Sequence, residues 1–291
     1  MKVLVTGYNG QLGYDVIEEL KRRGINDCLG TDRQQMDITD KNRVREFITS
    51  FNPDVIVHCA AYTAVDAAET DCENCYKVNV DGTKNIVEIA KELDCKMVYI
   101  STDYVFDGKK DLDETYKVDD IANPVSVYGK TKFLAEEEVR KLKKHFIVRI
   151  TWAFGINGNN FVKTMLKLSE TKDILNVVCD QIGSPTYTVD VARLIVDMIK
   201  TEKYGTYHGN NTGYISWAEF AEYILKDTNT KVNFVTTEKY YENNTKVIAN
   251  RPFNSKLDHS ELIENGFEEL PNWQDAVDRY KKELQEKVYR R

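Results

Sequence analysis

The chain has 291 residues, with 40 Lys and Arg against 47 Asp and Glu and a net charge of -7, a balance that argues against nucleic acid or an anionic membrane as partner. Hydrophobic residues make up 42% and charged residues 30%, and there are only 5 prolines, so the composition excludes a disordered or low-complexity chain and allows one well-buried core with a smaller second lobe. The apolar run at Met1–Gly7 is too short for a signal peptide or a membrane span, and six scattered cysteines (Cys28, Cys59, Cys72, Cys75, Cys95, Cys179) do not form a disulfide scaffold, so a reducing cytoplasm is expected.

In chain order, Val3 to Val5 reads as a buried strand, Leu12 to Arg23 as a helix, Asp27 to Gly30 as a strand, Asp40 to Phe51 as a helix and Val55 to Cys59 as a strand. A long helical pattern from Cys72 to Leu93, a strand at Met97 to Ser101, a helix from Tyr128 to Lys144 and a strand at Phe146 to Ile150 complete the first half. Such alternation implies crossover connections and a parallel sheet covered on both faces, a doubly wound α/β fold of the Rossmann-like, dinucleotide-binding kind. Helices are expected near Phe161 to Ser169, Val189 to Lys200, Trp217 to Asp227 and Trp273 to Leu284, and the run Asn176 to Cys179 is expected to add a strand to the same sheet. The expected division is a dinucleotide-binding domain over residues 1–155, with about 176–203 returning to it, and a C-terminal substrate-binding lobe from 156–175 and 204–291.

Immediately after the first strand, Gly7-Tyr8-Asn9-Gly10-Gln11-Leu12-Gly13 opens a helix. Glycines there permit a tight turn and a close backbone approach to a pyrophosphate, whose charge meets the helix N-terminus. The first gap is one residue longer than in the standard dinucleotide fingerprint. Asp32, about 20 residues on, is placed to accept from a ribose hydroxyl and to repel a ribose phosphate, which favours NADH. Arg33 next to it offsets that repulsion, so NADPH stays open as well. Asp37 and Ile38 are expected over the adenine, and Ala60, Ala61 and Tyr62, after the third strand, beside the cofactor.

Reduction of a ketone by hydride leaves an alkoxide-like oxygen that needs a proton donor. Tyr128 and Lys132 stand four residues apart on one helix face, where a lysine cation stabilises a tyrosinate and lowers its pKa from about 10. The pattern alone is weak among 17 tyrosines, but it occurs once, on the helix following the strand that ends at Ser101. Thr102, just past that strand, is the favoured group to polarise the carbonyl, with Ser101 as rival because neighbouring strand residues face opposite ways. Cys72-x-x-Cys75 has no second pair at metal spacing, and His58, His145, His208 and His259 form no ligand spacing, so no metal site is read from the residues.

Several stretches together carry a resemblance: Thr6 to Gly13, Asp54 to Asp66, Ser101 to Phe106, Val127 to Lys132, Arg149 to Trp152, Gly158 to Phe161, Asp180 to Thr186, and Arg251-Pro252 with Asn254-Ser255. Over nearly its whole length the chain resembles the extended short-chain dehydrogenases, and within them the reductases that complete dTDP-rhamnose. The resemblance implies reduction of dTDP-4-dehydro-beta-L-rhamnose to dTDP-beta-L-rhamnose with a catalytic trio at Thr102, Tyr128 and Lys132. It also implies a sugar site at Thr102, Asp103 and Trp152, with Asn160 and Arg251 as further contacts; a guanidinium binds a diphosphate bidentately. Some members form a magnesium-bridged homodimer through glutamates. Here Asp15 stands at one such position and Thr188 offers no equivalent, so the magnesium ligands are not supported. Two competing readings remain: a nucleotide-sugar dehydratase or epimerase of the same fold, and a regulatory subunit like the methionine adenosyltransferase beta subunit. Tyr104 after Asp103, where similar dehydratases carry glutamate, argues against the dehydratase, and the intact trio argues against a non-catalytic subunit.

Overall fold

Successive residues of the short apolar strands point to opposite sides of the sheet, and both sides are buried. Val3, Val5, Val55, Val57, Val98, Phe146 and Val148 enter one core; Leu4, Ile56, Met97, Tyr99 and Ile147 enter the other. The computed structural model describes residues 1–242 and 247–289. Its first half runs β1 (Val3–Thr6), α1 (Gln11–Arg22), β2 (Cys28–Thr31), α2 (Lys41–Phe51), β3 (Val55–His58), α3 (Val65–Ala68), α4 (Cys72–Tyr76), a π-helical turn (Lys77–Asp81), α5 (Gly82–Glu92), β4 (Lys96–Thr102), α6 (Val127–Val139) and β5 (His145–Ile150). Helix α2 begins where the sequence places it because the Asp40 carboxylate accepts from the amides of Asn42 and Arg43, satisfying two free N–H groups of its first turn.

Six parallel strands form the main sheet in the order β2-β1-β3-β4-β5-β10, where β10 is Gly205–His208. Residues of α1 and of α8 (Thr188–Met198) fill one face, and residues of α2, α5 and α6 the other. The order reverses between β1 and β3, and a crevice opens at the carboxyl ends of strands at such a switch point. Two strands differ from expectation. Residues 205–208 belong to the sheet, as an edge strand on β5, rather than to the second lobe. The run expected to join the sheet at Asn176 to Cys179 forms β7 (Ile174–Val178), which pairs with β13 (Lys231–Val235) in a separate two-stranded ribbon. Periodicity reports that a segment is extended and half-buried; which partner it takes is decided by contacts far away in sequence.

The second lobe is built from β6 (Ala153–Phe154), α7 (Phe161–Ser169), β7, β8 (Ile182–Gly183), β9 (Thr186–Tyr187), β11 (Asn211–Thr212), β12 (Ile215–Ser216), α9 (Trp217–Leu225), β13, α10 (Thr237–Tyr241), α11 (Ser260–Glu264), β14 (Leu270–Asn272) and α12 (Trp273–Tyr289). Most of it packs round an aromatic core of Phe154, Tyr187, Phe220, Trp273 and Tyr280. Among the described residues no helix is long and apolar enough to cross a membrane.

Candidate active site

The turn after β1 depends on two glycines. Gly7 has φ +69°, and a Cβ there would lie 2.7 Å from the Ala60 amide nitrogen at the end of β3; a Cβ on Gly13 would lie 2.4 Å from the Gly7 carbonyl oxygen. The loop is thereby drawn onto the switch point, and α1 starts from it with no acidic residue in its first turn, leaving free N–H groups and a positive dipole end facing the crevice. At the end of β2 the Asp32 carboxylate accepts from the amides of Gln34 (2.9 Å) and Gln35 (3.0 Å) and from Asn9 Nδ2 (2.8 Å). The acid is therefore locked to the glycine loop. Arg33 is 81% exposed and donates to Asp37 at 3.2 Å.

The catalytic candidates come from β4 and α6. Ser126 caps α6, its hydroxyl accepting from the Gly129 amide, so Tyr128 falls in the first turn and Lys132 one turn later. A buried ion pair fixes the helix against the sheet: Arg149 of β5 donates to both oxygens of Glu136 at 2.9 and 2.8 Å. Burial alone would raise the Glu136 pKa, but Arg149 holds it below the usual carboxylate range. Removing either partner leaves a buried charge and costs about 3–5 kcal/mol.

Burial raises the Tyr128 phenol above its ordinary pKa, with hydrogen bonding to Thr102 acting the other way and the Asp103 charge adding to the rise. Lys132 is buried, donates from Nζ to the Ile100 carbonyl at 2.6 Å and lies 4.1 Å from the centre of the Tyr99 ring. Burial pushes its ammonium down to about 7. The lysine's partners are thus a strand-end carbonyl and an aromatic face, and burial outweighs the lowering of Tyr128 that sequence spacing suggests. Thr102 Oγ1 donates to Asp103 at 3.1 Å, and Ser255 donates to the other Asp103 oxygen at 2.5 Å. Asp103 is 3% exposed, and burial raises its carboxyl to about 6 against those two hydrogen bonds. Ser101, the rival of Thr102, also faces the cleft. Buried His58 bonds to Thr6 and Thr83, and burial first, then Lys132, pushes its imidazole down to about 3; it is a neutral structural residue at neutral pH.

One cleft of about 1350 Å³ joins these parts, larger than the roughly 300–1,000 Å³ of a single small-ligand site, which suits a dinucleotide beside a second ligand. Gly7, Asn9, Gly10, Gln11, Leu12, Gly13, Asp32, Asp37, Ile38, Ala60, Ala61 and Tyr62 line one part of it; Thr102, Asp103, Tyr128, Lys132 and Trp152 line the rest. Two candidates are not brought in. Asn160 caps α7, its Oδ1 accepting from Lys163, and its Nδ2 lies within 3.0 Å of Gln11 Oε1, the Gly155 carbonyl and the Tyr280 hydroxyl, so Asn159 faces the cleft instead. An asparagine directly before an apolar helical run is a favoured N-cap, and that role takes its hydrogen-bonding capacity. Arg251 lies outside the lining and donates to Asp66 at 2.8 Å.

Sequence reasoning missed three contributors. Trp217, first residue of α9, stacks on Trp152 with centroids 3.6 Å apart and lines the cleft. Trp152 has φ +42°, a left-handed conformation unusual for a bulky residue, and its ring occupies the space a Cβ on Gly183 would need. Tyr104 sets its ring edge-on to Tyr128, centroids 5.5 Å apart. Asn79, in the π-helical turn, accepts from the Tyr62 amide and donates to Thr131 of α6, tying the loop after β3 to the catalytic helix. Of these, only the buried asparagine inside an apolar helical pattern gave a signal.

At the Asp15 position, where the resemblance implied a magnesium ligand, Thr188 donates to the carboxylate at 2.5 Å in a buried contact. Burial raises Asp15 to about 7. A single buried carboxyl, already satisfied by a hydroxyl and with no second carboxylate at Thr188, does not fit a divalent cation.

A parallel sheet with a glycine turn at its switch point, and a helix presenting tyrosine and lysine to the same crevice, defines a Rossmann-type protein of the extended short-chain dehydrogenase architecture. The model of the RmlD substrate binding domain matches residues 1–286, and the chain belongs to that family. It is 40% identical to a dTDP-4-dehydrorhamnose reductase of Aggregatibacter actinomycetemcomitans, over 95% of this chain and 97% of that protein. It is also 40% identical to the spore coat polysaccharide biosynthesis protein SpsK of Bacillus subtilis (strain 168), over 97% of each chain. A solved dTDP-4-dehydrorhamnose reductase of Bacillus anthracis str. Ames, in complex with NADP, superposes with a TM-score of 0.91 at 40% identity, over 97% of this chain and 100% of that one.

Proposed function

We propose that the chain reduces dTDP-4-dehydro-beta-L-rhamnose to dTDP-beta-L-rhamnose in the cytoplasm. The observation that carries this reading is the meeting, in one cleft, of the glycine turn with Thr102, Tyr128 and Lys132. Membership of the family and the names of its full-length relatives support the substrate.

When bound, a reduced nicotinamide supplies the hydride. Tyr128 is the general acid: its raised pKa keeps the phenol protonated at neutral pH, ready to donate to the oxygen formed at C4. Thr102 polarises that carbonyl by turning its hydroxyl from Asp103 to the substrate oxygen. Lys132, which among the described residues commits one N–H to Ile100, offers its others to ribose hydroxyls, and in its cationic form it favours the tyrosinate left after transfer. Asp103 carries no neighbouring glutamate, so the site has a proton donor for reduction but no acid and base pair for elimination of water.

The cofactor is NADH or NADPH. Asp32 biases the site towards NADH, and exposed Arg33 supplies the cation a 2′-phosphate needs. The main-sheet lobe takes the cofactor; the aromatic lobe takes the sugar, with Trp152 against the ring and Arg251, which lies just outside the lining beside Tyr104, meeting the diphosphate. The test is oxidation of each reduced cofactor in the presence of the dTDP-keto sugar made in situ. Turnover is expected, and none with either cofactor rejects the reading.

A further inference from the structure

Arg251 belongs to the second lobe, yet its principal partner is in the first. Its guanidinium donates to Asp66 Oδ2 at 2.8 Å across 185 positions of sequence, while Asp66 Oδ1 accepts from the Ala249 amide at 3.1 Å. A further bond, from Arg251 Nη1 to the Ala249 carbonyl at 3.2 Å, closes the clip. One carboxylate of α3 therefore holds both the backbone and the cation of the 249–251 segment. Burial would raise the Asp66 pKa, but the Arg251 and Ala249 bonds lower it, so it is ionised at neutral pH. The arginine side chain is 22% exposed and the Asp66 side chain 49%, so the pair sits at the surface with the guanidinium the more covered partner. Among the described residues, Arg251 commits two of its five guanidinium N–H groups, to Asp66 and Ala249. Burial lowers the Arg251 pKa, but the Asp66 bond raises it, and Tyr104, which lines the cleft, and Tyr241 are near enough to add to the rise.

Resting on the assignment of Arg251 to the substrate diphosphate, we infer that Asp66 is a positioning residue for substrate binding: it holds the guanidinium beside Tyr104, at the edge of the cleft lining, in place to meet the phosphates. A long flexible cation fixed in advance loses less freedom on binding, so affinity rises without any contact between Asp66 and the ligand. Asp66 also repels a diphosphate, and the two effects predict opposite signs for its removal. The double grip on side chain and backbone makes positioning the larger.

The experiment is calorimetric titration of dTDP into wild type, Asp66→Asn, Asp66→Glu, Arg251→Ala and the Asp66→Asn/Arg251→Ala double variant, with steady-state kinetics on each. Arg251→Ala is expected to weaken dTDP binding about 10- to 100-fold, the loss of a charge-assisted bidentate contact. Asp66→Asn is expected to weaken it about 3- to 10-fold and to raise the sugar KM by the same factor, with kcat and cofactor affinity unchanged. Asp66→Glu restores part of the loss, and the double variant binds no more weakly than Arg251→Ala. If Arg251→Ala weakens binding while Asp66→Asn binds as tightly as wild type or more tightly, the positioning role is overturned and the Arg251 assignment stands. If Arg251→Ala leaves dTDP affinity unchanged, the diphosphate assignment falls and the positioning role with it.

Discussion

Asp15→Asn is expected to make the protein more stable at neutral and alkaline pH and to leave it unchanged in acid. Asp15 is 5% exposed on α1, and burial is the largest influence on it, raising its pKa from 3.8 to about 7. The folded state therefore disfavours the carboxylate. The stability associated with this group is fully present below pH 3.8, falls as the pH rises, and is lost once it passes about 7. A shift of about three units corresponds to at most about 4 kcal/mol at pH 8. Asparagine keeps an oxygen for the Thr188 hydroxyl and cannot ionise. The stability difference between variant and wild type should thus be near zero at pH 4, grow by about 1.4 kcal/mol per unit to pH 7, and level off. Denaturant unfolding of both proteins across pH 4–8 measures it, and the remaining buried acids, Asp103 among them, are common to both proteins and cancel in the difference. A gap that does not change with pH would refute the reasoning.

Three further outcomes follow from the site. Removing Asp32 by substitution with alanine frees Asn9 and takes away the charge facing a 2′-phosphate, so the NADPH to NADH ratio of kcat/KM should rise about tenfold or more; an unchanged ratio would show that Asp32 is not the selector. Because Lys132 titrates near 7, kcat/KM for the cofactor, which reports the free enzyme, should fall as the pH rises above about 7, and Lys132→Arg, charged throughout, should remove that fall; a flat wild-type profile would contradict a cationic role. In Gly13→Ala the new methyl would sit 2.4 Å from the Gly7 oxygen, and cofactor KM should rise at least about tenfold as α1 is forced off the turn; near-normal affinity would mean the loop adapts.

What could be read from the sequence was local. The glycine turn is a strand, a turn and a helix within eleven residues, and its chemistry is written in consecutive positions. Tyr128 and Lys132 share one helix, so spacing alone placed them on one face. Arg251 and Asn160 were assigned by residue type, but the choice between a cleft and a cap or an ion pair depends on Gln11, Tyr280 and Asp66, which are 120 to 185 positions away. The same applies to Trp217, carried to Trp152 by the packing of the second lobe, and to the strand at 205–208, whose partner β5 lies some 60 residues earlier. The charge states of Tyr128 and Lys132 were not legible for a different reason: spacing shows which groups are neighbours, whereas burial is the largest influence on each.

The central claim is that Tyr128 delivers the proton in reduction of the keto sugar. Single-turnover oxidation of enzyme-bound reduced cofactor by the dTDP-keto sugar, comparing wild type with Tyr128→Phe, tests it most directly. The variant should bind both ligands and react about 10²- to 10⁴-fold more slowly. A Tyr128→Phe enzyme as fast as wild type would contradict the account.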